Sequence, residues 1–310
     1  SHESVPQVLA NFGIGTLAGR LPMTFDALVY QGLIGLSLAM YLWLLAAGLT
    51  IAFGVLGVVN FAHGSLYMLG GYFAFTFYLT LQMNFWLSLL LAAASGGVIG
   101  MIMERFFLRY IYHLDLAYQI LLTFGFVLIF ADAARIFWGG IPLIPPMPEI
   151  LDSTVSIVGR PFPVYNLFVI FVGIAASALL WLLLDKTSWG ETVRASASDR
   201  EMASALGVNI PRQFTIVFSF AAMLAALSGA LGTPVRAMTP GIGTSVIIDV
   251  FIVTVIGGLG NLLGAFVGAL VIGLMKAYGV LLFPDADLFM TYLIMALVLL
   301  FRPKGLLGGR

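Results

Sequence analysis

The stretch Tyr30–Ile51, YQGLIGLSLAMYLWLLAAGLTI, is apolar almost throughout and carries no charge. A bilayer core about 30 Å thick is crossed by about 20 such residues in helical form, with a working range of about 17–25. Outward from it, similar runs recur at about 63–81, 85–103, 118–137, 165–184, 213–232, 264–282 and 288–301, with charged or turn-rich breaks between them. One more run, 246–257, is short and bounded by Gly243 and by Gly257-Gly258. It is either a full span that borrows its flanks or a broken helix. The expected fold is all-α, a polytopic transmembrane helical bundle of eight or nine spans with broken helices.

Composition supports this and removes other classes. The chain is 61% hydrophobic and 9% charged, whereas a soluble domain carries roughly a quarter charged residues. A net charge of zero with no basic stripe gives nucleic acid no footprint. There is no cysteine, so disulfides and thiolate chemistry are excluded, and His2, His63 and His113 lie too far apart for a metal cluster to be expected. No cofactor is expected. No G-x-x-x-x-G-K-[ST] loop occurs, and the longest basic break, 185–213, is too short for a nucleotide-binding domain. Any nucleotide-driven engine then sits on another chain.

Lysine and arginine set the orientation, because they collect in cytoplasmic loops. Glu104–Ala117 holds Arg105 and Arg109; Asp185–Gln213 holds Lys186, Arg194, Arg200 and Arg212; the tail holds Arg302, Lys304 and Arg310. The alternate breaks hold Arg20, Arg160 and Arg236, with Arg135 at a helix edge. The first set is read as cytoplasmic, which puts the C-terminus inside. Nine crossings would then leave the N-terminus outside, and eight would not. Residues 1–26 contain no long apolar run and are read as a peripheral extracytoplasmic segment, with 27–310 as one transmembrane domain. The break 138–164 is rich in proline, which favours extended structure; it either caps the bundle for a partner or is an ordered surface loop.

Three interruptions carry the candidate chemistry. In 185–213, Ser198 or Asp199 can cap a helix running to Leu206, with Glu201 in its first turn. Gly207 suits a left-handed C-cap, and Pro211 blocks continuation. The short helix has an apolar face of Met202, Ala205 and Leu206 and a polar one of Arg200, Glu201 and Ser204. Such a helix either docks in a partner's groove or rests on lipid headgroups. In Gly54–Ser65, glycines with Asn60 and His63 interrupt two apolar runs. Irregular backbone survives at membrane depth only where protein or a wet cavity satisfies it, so this break is either a simple turn or the mouth of a path. Gly260, Gly264 and Gly268 have the small-xxx-small spacing that allows close helix contact. Ionisable residues in spans are candidates for function because burying charge in lipid is costly. Asp249 is the leading one; Asp132 and Arg135, at i and i+3, can neutralise each other, and Lys276 can snorkel outward.

Two of these interruptions carry a family resemblance. Glu201-Met202-Ala203-Ser204-Ala205-Leu206-Gly207 resembles the E-A-A-x-x-x-G coupling motif of bacterial ABC importer permeases, with Met202 departing at the second position. Asn60-Phe61-Ala62-His63-Gly64, preceded by Gly48-Leu49-Thr50 and Phe53-Gly54, resembles the signature of LivH-type permeases of branched-chain amino-acid importers. Matching blocks follow in order: Gly190…Arg194-Ala195, Asp199…Gly207, Gly257-Gly258-Leu259-Gly260-Asn261…Gly264-Ala265, and Arg302-Pro303-Lys304-Gly305-Leu306-Leu307-Gly308. The resemblance covers roughly 27–310. It implies a permease in the bacterial inner membrane, not an enzyme, working by alternating access with a second LivM-like permease, two cytoplasmic ATPase subunits and a periplasmic solute-binding protein. Similar permeases carry amino acids, amides, urea or organic acids. The implied coupling residues are Asp199, Arg200, Glu201, Met202, Ala203, Leu206 and Gly207. The candidate path residues are Asn60, His63, Gly64, Asp249 and Asn261. A secondary transporter would need a coupling carboxylate, for which Asp249 is the strong candidate; an intramembrane enzyme would need paired catalytic residues within spans, and none is visible.

Overall fold

The computed structural model describes residues 24–282 and 287–308. Most of the segment 1–26, together with Arg20 and Arg310 from the orientation argument, lies outside the described residues. Every apolar run becomes helix. In chain order these are α1 (Phe25–Leu56), α2 (His63–Phe75, extended by a π turn over Thr76–Thr80), α3 (Phe85–Phe106) and α4 (Leu116–Trp138). After a β-hairpin, β1 (Thr154–Ile157) and β2 (Arg160–Pro163), come α5 (Val164–Lys186), α6 (Ser188–Ser198), α7 (Arg200–Ala205) and α8 (Ile210–Gly232). The chain ends with α9 (Ile242–Gly257), α10 (Leu262–Leu282) and α11 (Asp287–Phe301). Among the described residues, six helices, α1, α3, α4, α5, α8 and α10, are long and apolar enough to cross a membrane; α9 and α11 are apolar but shorter.

The bundle is organised around α1, which is buried along most of its length and packs on α8, α10 and α5. α8 is the second core helix, and α3 lies along it because Gly96 and Gly100 of α3 leave room for Ala226 and Ala222. A methyl group at either glycine would overlap those alanine side chains. With no hydrophobic force between helices in lipid, such small-residue seams permit the close packing that holds a bundle together. α4 and α5 are peripheral: Leu121, Leu128, Ile136, Phe171, Ile174 and Leu179 all face outward. An apolar exterior of this kind fits lipid or another apolar chain.

The two ends of the bundle differ. One, the hairpin end, carries β1 and β2, joined antiparallel by Val158-Gly159, both at positive φ. Arg160 pairs with Asp26 at the start of α1, and Leu143 forms a bridge with Met238. The proline-rich break is thus fastened to the bundle at several points. The other, the basic end, gathers the α3–α4 connection, α6, α7 and the residues 302–308.

Candidate functional site

At the basic end, residues 187–209 fold as two helices meeting at Asp199. Thr187 caps α6 by accepting from the Gly190 N–H. The Asp199 side chain accepts from the Met202 N–H and so caps α7. α7 ends as expected: Gly207 has φ +93°, its N–H bonds to the Ser204 carbonyl, and Val208 N–H bonds to the Ala203 carbonyl. This is the paired closure of a left-handed glycine cap. Helix α6 was not expected from the sequence. Its buried residues, Gly190, Val193 and Ser196, recur every three positions but are mostly small, so no apolar run marks it.

The faces of α7 fall in two directions. Ala203 is 1% exposed against the bundle, whereas Met202 and Leu206 are 58% and 78% exposed. Glu201 is exposed beside them. Arg200 turns back: its guanidinium Nη2 donates to the carbonyls of Val55 (3.2 Å) and Leu56 (2.9 Å), the last two residues of α1. The guanidinium also lies 5.1 Å from the Phe214 ring centre on α8. The final carbonyls of a helix lack intrahelical donors and carry its negative pole. A cation from α7 therefore caps the central helix.

Beside α7, fully buried Glu104 at the end of α3 gathers three partners. Tyr112 Oη donates to it (3.1 Å), Arg109 lies 3.5 Å away, and the Thr215 hydroxyl bonds its Oε2. Arg109 also donates to Thr215 Oγ1 (2.8 Å) and the Pro211 carbonyl (3.2 Å). Burial, and then the Glu104 carboxylate, push the Tyr112 hydroxyl well above its ordinary range, so it stays a donor. This cluster locks the α3–α4 connection onto the first turn of α8. No sequence signal pointed to Glu104, because its partners lie on separate segments.

The break between α1 and α2 is sunk into the bundle. Gly57, at φ +69°, ends α1. Residues 58–62 then run back until His63 Nε2 sits 3.0 Å from the Leu45 carbonyl. Leu45 lies eleven residues before Leu56, about 16 Å along the helix. Asn60 is 1% exposed, and neither atom of its side-chain amide meets a protein partner. Gly64 meets Gly243, so the N-termini of α2 and α9 touch; a Cβ at Gly64 would fall on the Gly243 carbonyl. Polar backbone and an unpartnered amide deep among apolar helices are what a solute path supplies and what lipid would not tolerate.

The remaining candidates separate. Lys276 does not snorkel outward. Its Nζ lies 2.8 Å from both carboxylate oxygens of Asp249, bridging α10 to α9, because a facing anion offers more than the longer reach to water. Asp132 and Arg135 pair at 3.2 Å on the exterior. Asn261 takes a capping role: its Oδ1 accepts from Gly264 N–H in the first turn of α10, and its Nδ2 donates to the Leu307 carbonyl (2.8 Å). The tail also caps α9, with Leu306 and Leu307 N–H bonded to the Ile256 and Gly257 carbonyls. Asn261 borders a cavity of about 570 Å³ that includes Trp43, Trp181, Arg194 and Phe266. Gly264 and Gly268 press against Gly257 and Val253 backbone, the close contact their spacing suggested.

Comparisons with known proteins give this architecture a family. A model described as branched-chain amino acid transport system / permease component matches residues 32–301. The high-affinity branched-chain amino acid transport system permease protein BraD of Pseudomonas aeruginosa is 30% identical over 289 residues, 88% of this chain and 94% of its own. The corresponding LivH of Escherichia coli K12 is 28% identical over 292 residues, 88% and 93% of the two chains. A probable LivH of Methanocaldococcus jannaschii is 28% identical over 248 residues, 76% and 75%. No solved structure matches significantly. The chain belongs to the branched-chain amino-acid transport permease family, as a LivH-type membrane transport component and not an enzyme.

Proposed function

We propose that this chain is the translocating permease subunit of an ATP-driven ABC importer for branched-chain amino acids or similar small polar solutes such as amides, urea and organic acids. The observation that carries the reading is α7. One face grips the end of α1 through Arg200, while Met202 and Leu206 stand unpacked at the bundle's basic end. A partner that takes those two side chains into a groove can move α7, and α7 can move the central helix. The partners are two cytoplasmic ATPase subunits there, a second LivM-like permease alongside, and a periplasmic solute-binding protein at the hairpin end. Closure of the ATPase pair on nucleotide would pull α7, shift α1 relative to α2 and α9, and expose the path alternately to each side.

The same reading makes the basic end cytoplasmic, since Arg105, Arg109, Arg194, Arg200, Arg212, Arg302 and Lys304 cluster there. α2, α9 and α11 then join the six long helices for nine crossings, with the C-terminus inside and 1–26 outside, ahead of one transmembrane domain from residue 27. α9 supports this count: it follows a loop tied to Leu143 at the hairpin end and finishes under the tail at the basic end. A secondary transporter gains no support from Asp249, whose carboxylate is engaged by Lys276.

The test is reconstitution. Proteoliposomes carrying this chain with its second permease and ATPases should take up labelled leucine only with the loaded binding protein outside and ATP inside. Uptake by this chain alone, driven by a proton gradient, would refute the proposal. A cysteine replacing Ser198 should react with impermeant maleimide only from the cytoplasmic side.

A further inference from the structure

A second polar locus lies within the bundle, apart from the break at Asn60. A cavity of about 290 Å³ opens between α1, α2, α9 and α10, bordered by Tyr41, Tyr67, Arg236, Asp249 and Lys276. Tyr41 lies half-way along α1, sixteen residues from Phe25, or about 24 Å. The Tyr41 hydroxyl is buried without a hydrogen-bond partner. Arg236, just past the end of α8, lies beside the Tyr67 hydroxyl. Its guanidinium belongs to none of the ion pairs seen among the described residues. The rest of the wall is apolar, including Leu38, Leu42, Leu45 and Val246.

Two cations and one anion leave the lining with a surplus positive charge. A carboxylate entering there neutralises that surplus, and a planar guanidinium binds carboxylate through two parallel hydrogen bonds. The Asp249 carboxylate, held by Lys276, keeps lone pairs beyond the two contacts Lys276 uses. A small apolar pocket with a few convergent polar groups is the usual form of a small-molecule site. We propose that this cavity recognises the backbone of an α-amino acid in transit. Arg236 takes the carboxylate, Asp249 and the Tyr41 hydroxyl take the ammonium, and the leucine and valine wall takes an aliphatic side chain. This names the solute contacts for the import reading above and rests on it. It also gives selectivity to the permease, independently of the binding protein.

The test separates the two. The permease–ATPase complex in nanodiscs, without binding protein, is examined by saturation-transfer NMR against leucine and against leucinamide, which lacks the carboxylate. Leucine should be saturated in preference to leucinamide. Arg236→Gln should weaken the leucine signal by at least about tenfold, the loss expected for a charged hydrogen bond, and abolish the preference. Tyr41→Phe removes a hydroxyl that bonds to nothing, so it spares the fold and should weaken both ligands. Arg135→Gln, at the exterior pair, should change neither. Equal saturation of the two ligands, or an Arg236→Gln complex that still prefers leucine, would overturn the proposal. If leucine were imported by the full assembly while the wild-type complex showed no saturation, the cavity assignment would fail and the import reading would stand. Absence of leucine import by the full assembly would sink both.

Discussion

Replacing Arg200 with Met should uncouple transport from ATP hydrolysis while leaving the bundle folded. Methionine keeps much of the apolar stem but removes the charge and both donors to Val55 and Leu56. A hydrogen bond from a charged donor contributes about 1.5–3 kcal/mol. A cation at a helix C-terminus adds about 0.3–1 kcal/mol, and the contact with Phe214 about 0.5–1 kcal/mol. One guanidinium makes all three and is partly solvated, so the contributions overlap. A link worth about 2–3 kcal/mol is a reasonable total, and every 1.4 kcal/mol is about tenfold. The docked state of α7 on α1 should then lose a factor of about 30–140. In proteoliposomes, ATP hydrolysis stimulated by loaded binding protein should persist, while leucine taken up per ATP falls at least about tenfold. Arg200→Lys, which keeps the charge but loses the planar fork, should fall between. Thermal unfolding of the detergent-purified assembly checks that the variant is intact. An Arg200→Met transporter whose uptake per ATP stays within about twofold of the wild type would refute the idea that α7 drives α1 through this residue.

Other consequences can be checked more briefly. Gly64→Ala should lower thermal stability by about 1–3 kcal/mol, the usual cost of overpacking, because its Cβ meets the Gly243 carbonyl. Gly125→Ala, with open space around it, should not. Tyr112→Phe should cost about 1–3 kcal/mol by removing a donor from buried Glu104. The folded hydroxyl's pKa is raised, so its contribution is full below the ordinary tyrosine value and declines only as pH climbs through the raised one. Chemical unfolding of the two proteins should therefore show a constant difference from about pH 6 to 9, and a difference that vanishes within that interval would contradict the assignment. Asp249→Asn should destabilise by up to about 3–5 kcal/mol, because Lys276 loses its partner. Asp249→Asn with Lys276→Met should recover much of that stability, though not uptake.

What the sequence made legible is local. Apolar runs mark helices because lipid demands them, and Asp199 and Gly207 mark helix ends because each bonds within a turn of itself. The hairpin was half legible: the prolines argued for extended chain, but the pairing of Thr154–Ile157 with Arg160–Pro163 went unread. Helix α6 was missed because its inward face is made of small residues. The larger omissions share one cause. Arg200 is 144 residues from Leu56, Thr215 is 111 from Glu104, and Asn261 is 46 from Leu307. No period in the sequence encodes such bonds. The break at Asn60 shows the consequence most plainly. Read as sequence, it is either a turn at the end of a span or the mouth of a path, because spacing says nothing of depth. Depth comes from α1, which runs five residues past the expected end at Ile51 and carries the turn beyond the level of His63. A turn at the surface would leave Asn60 wet at no cost. A turn drawn back to Leu45 buries an amide that no protein group satisfies, at about 1–3 kcal/mol. A fold keeps such a group where water or a solute passes and compensates it, which makes the unpartnered amide a better pointer to the proposed path than any glycine around it.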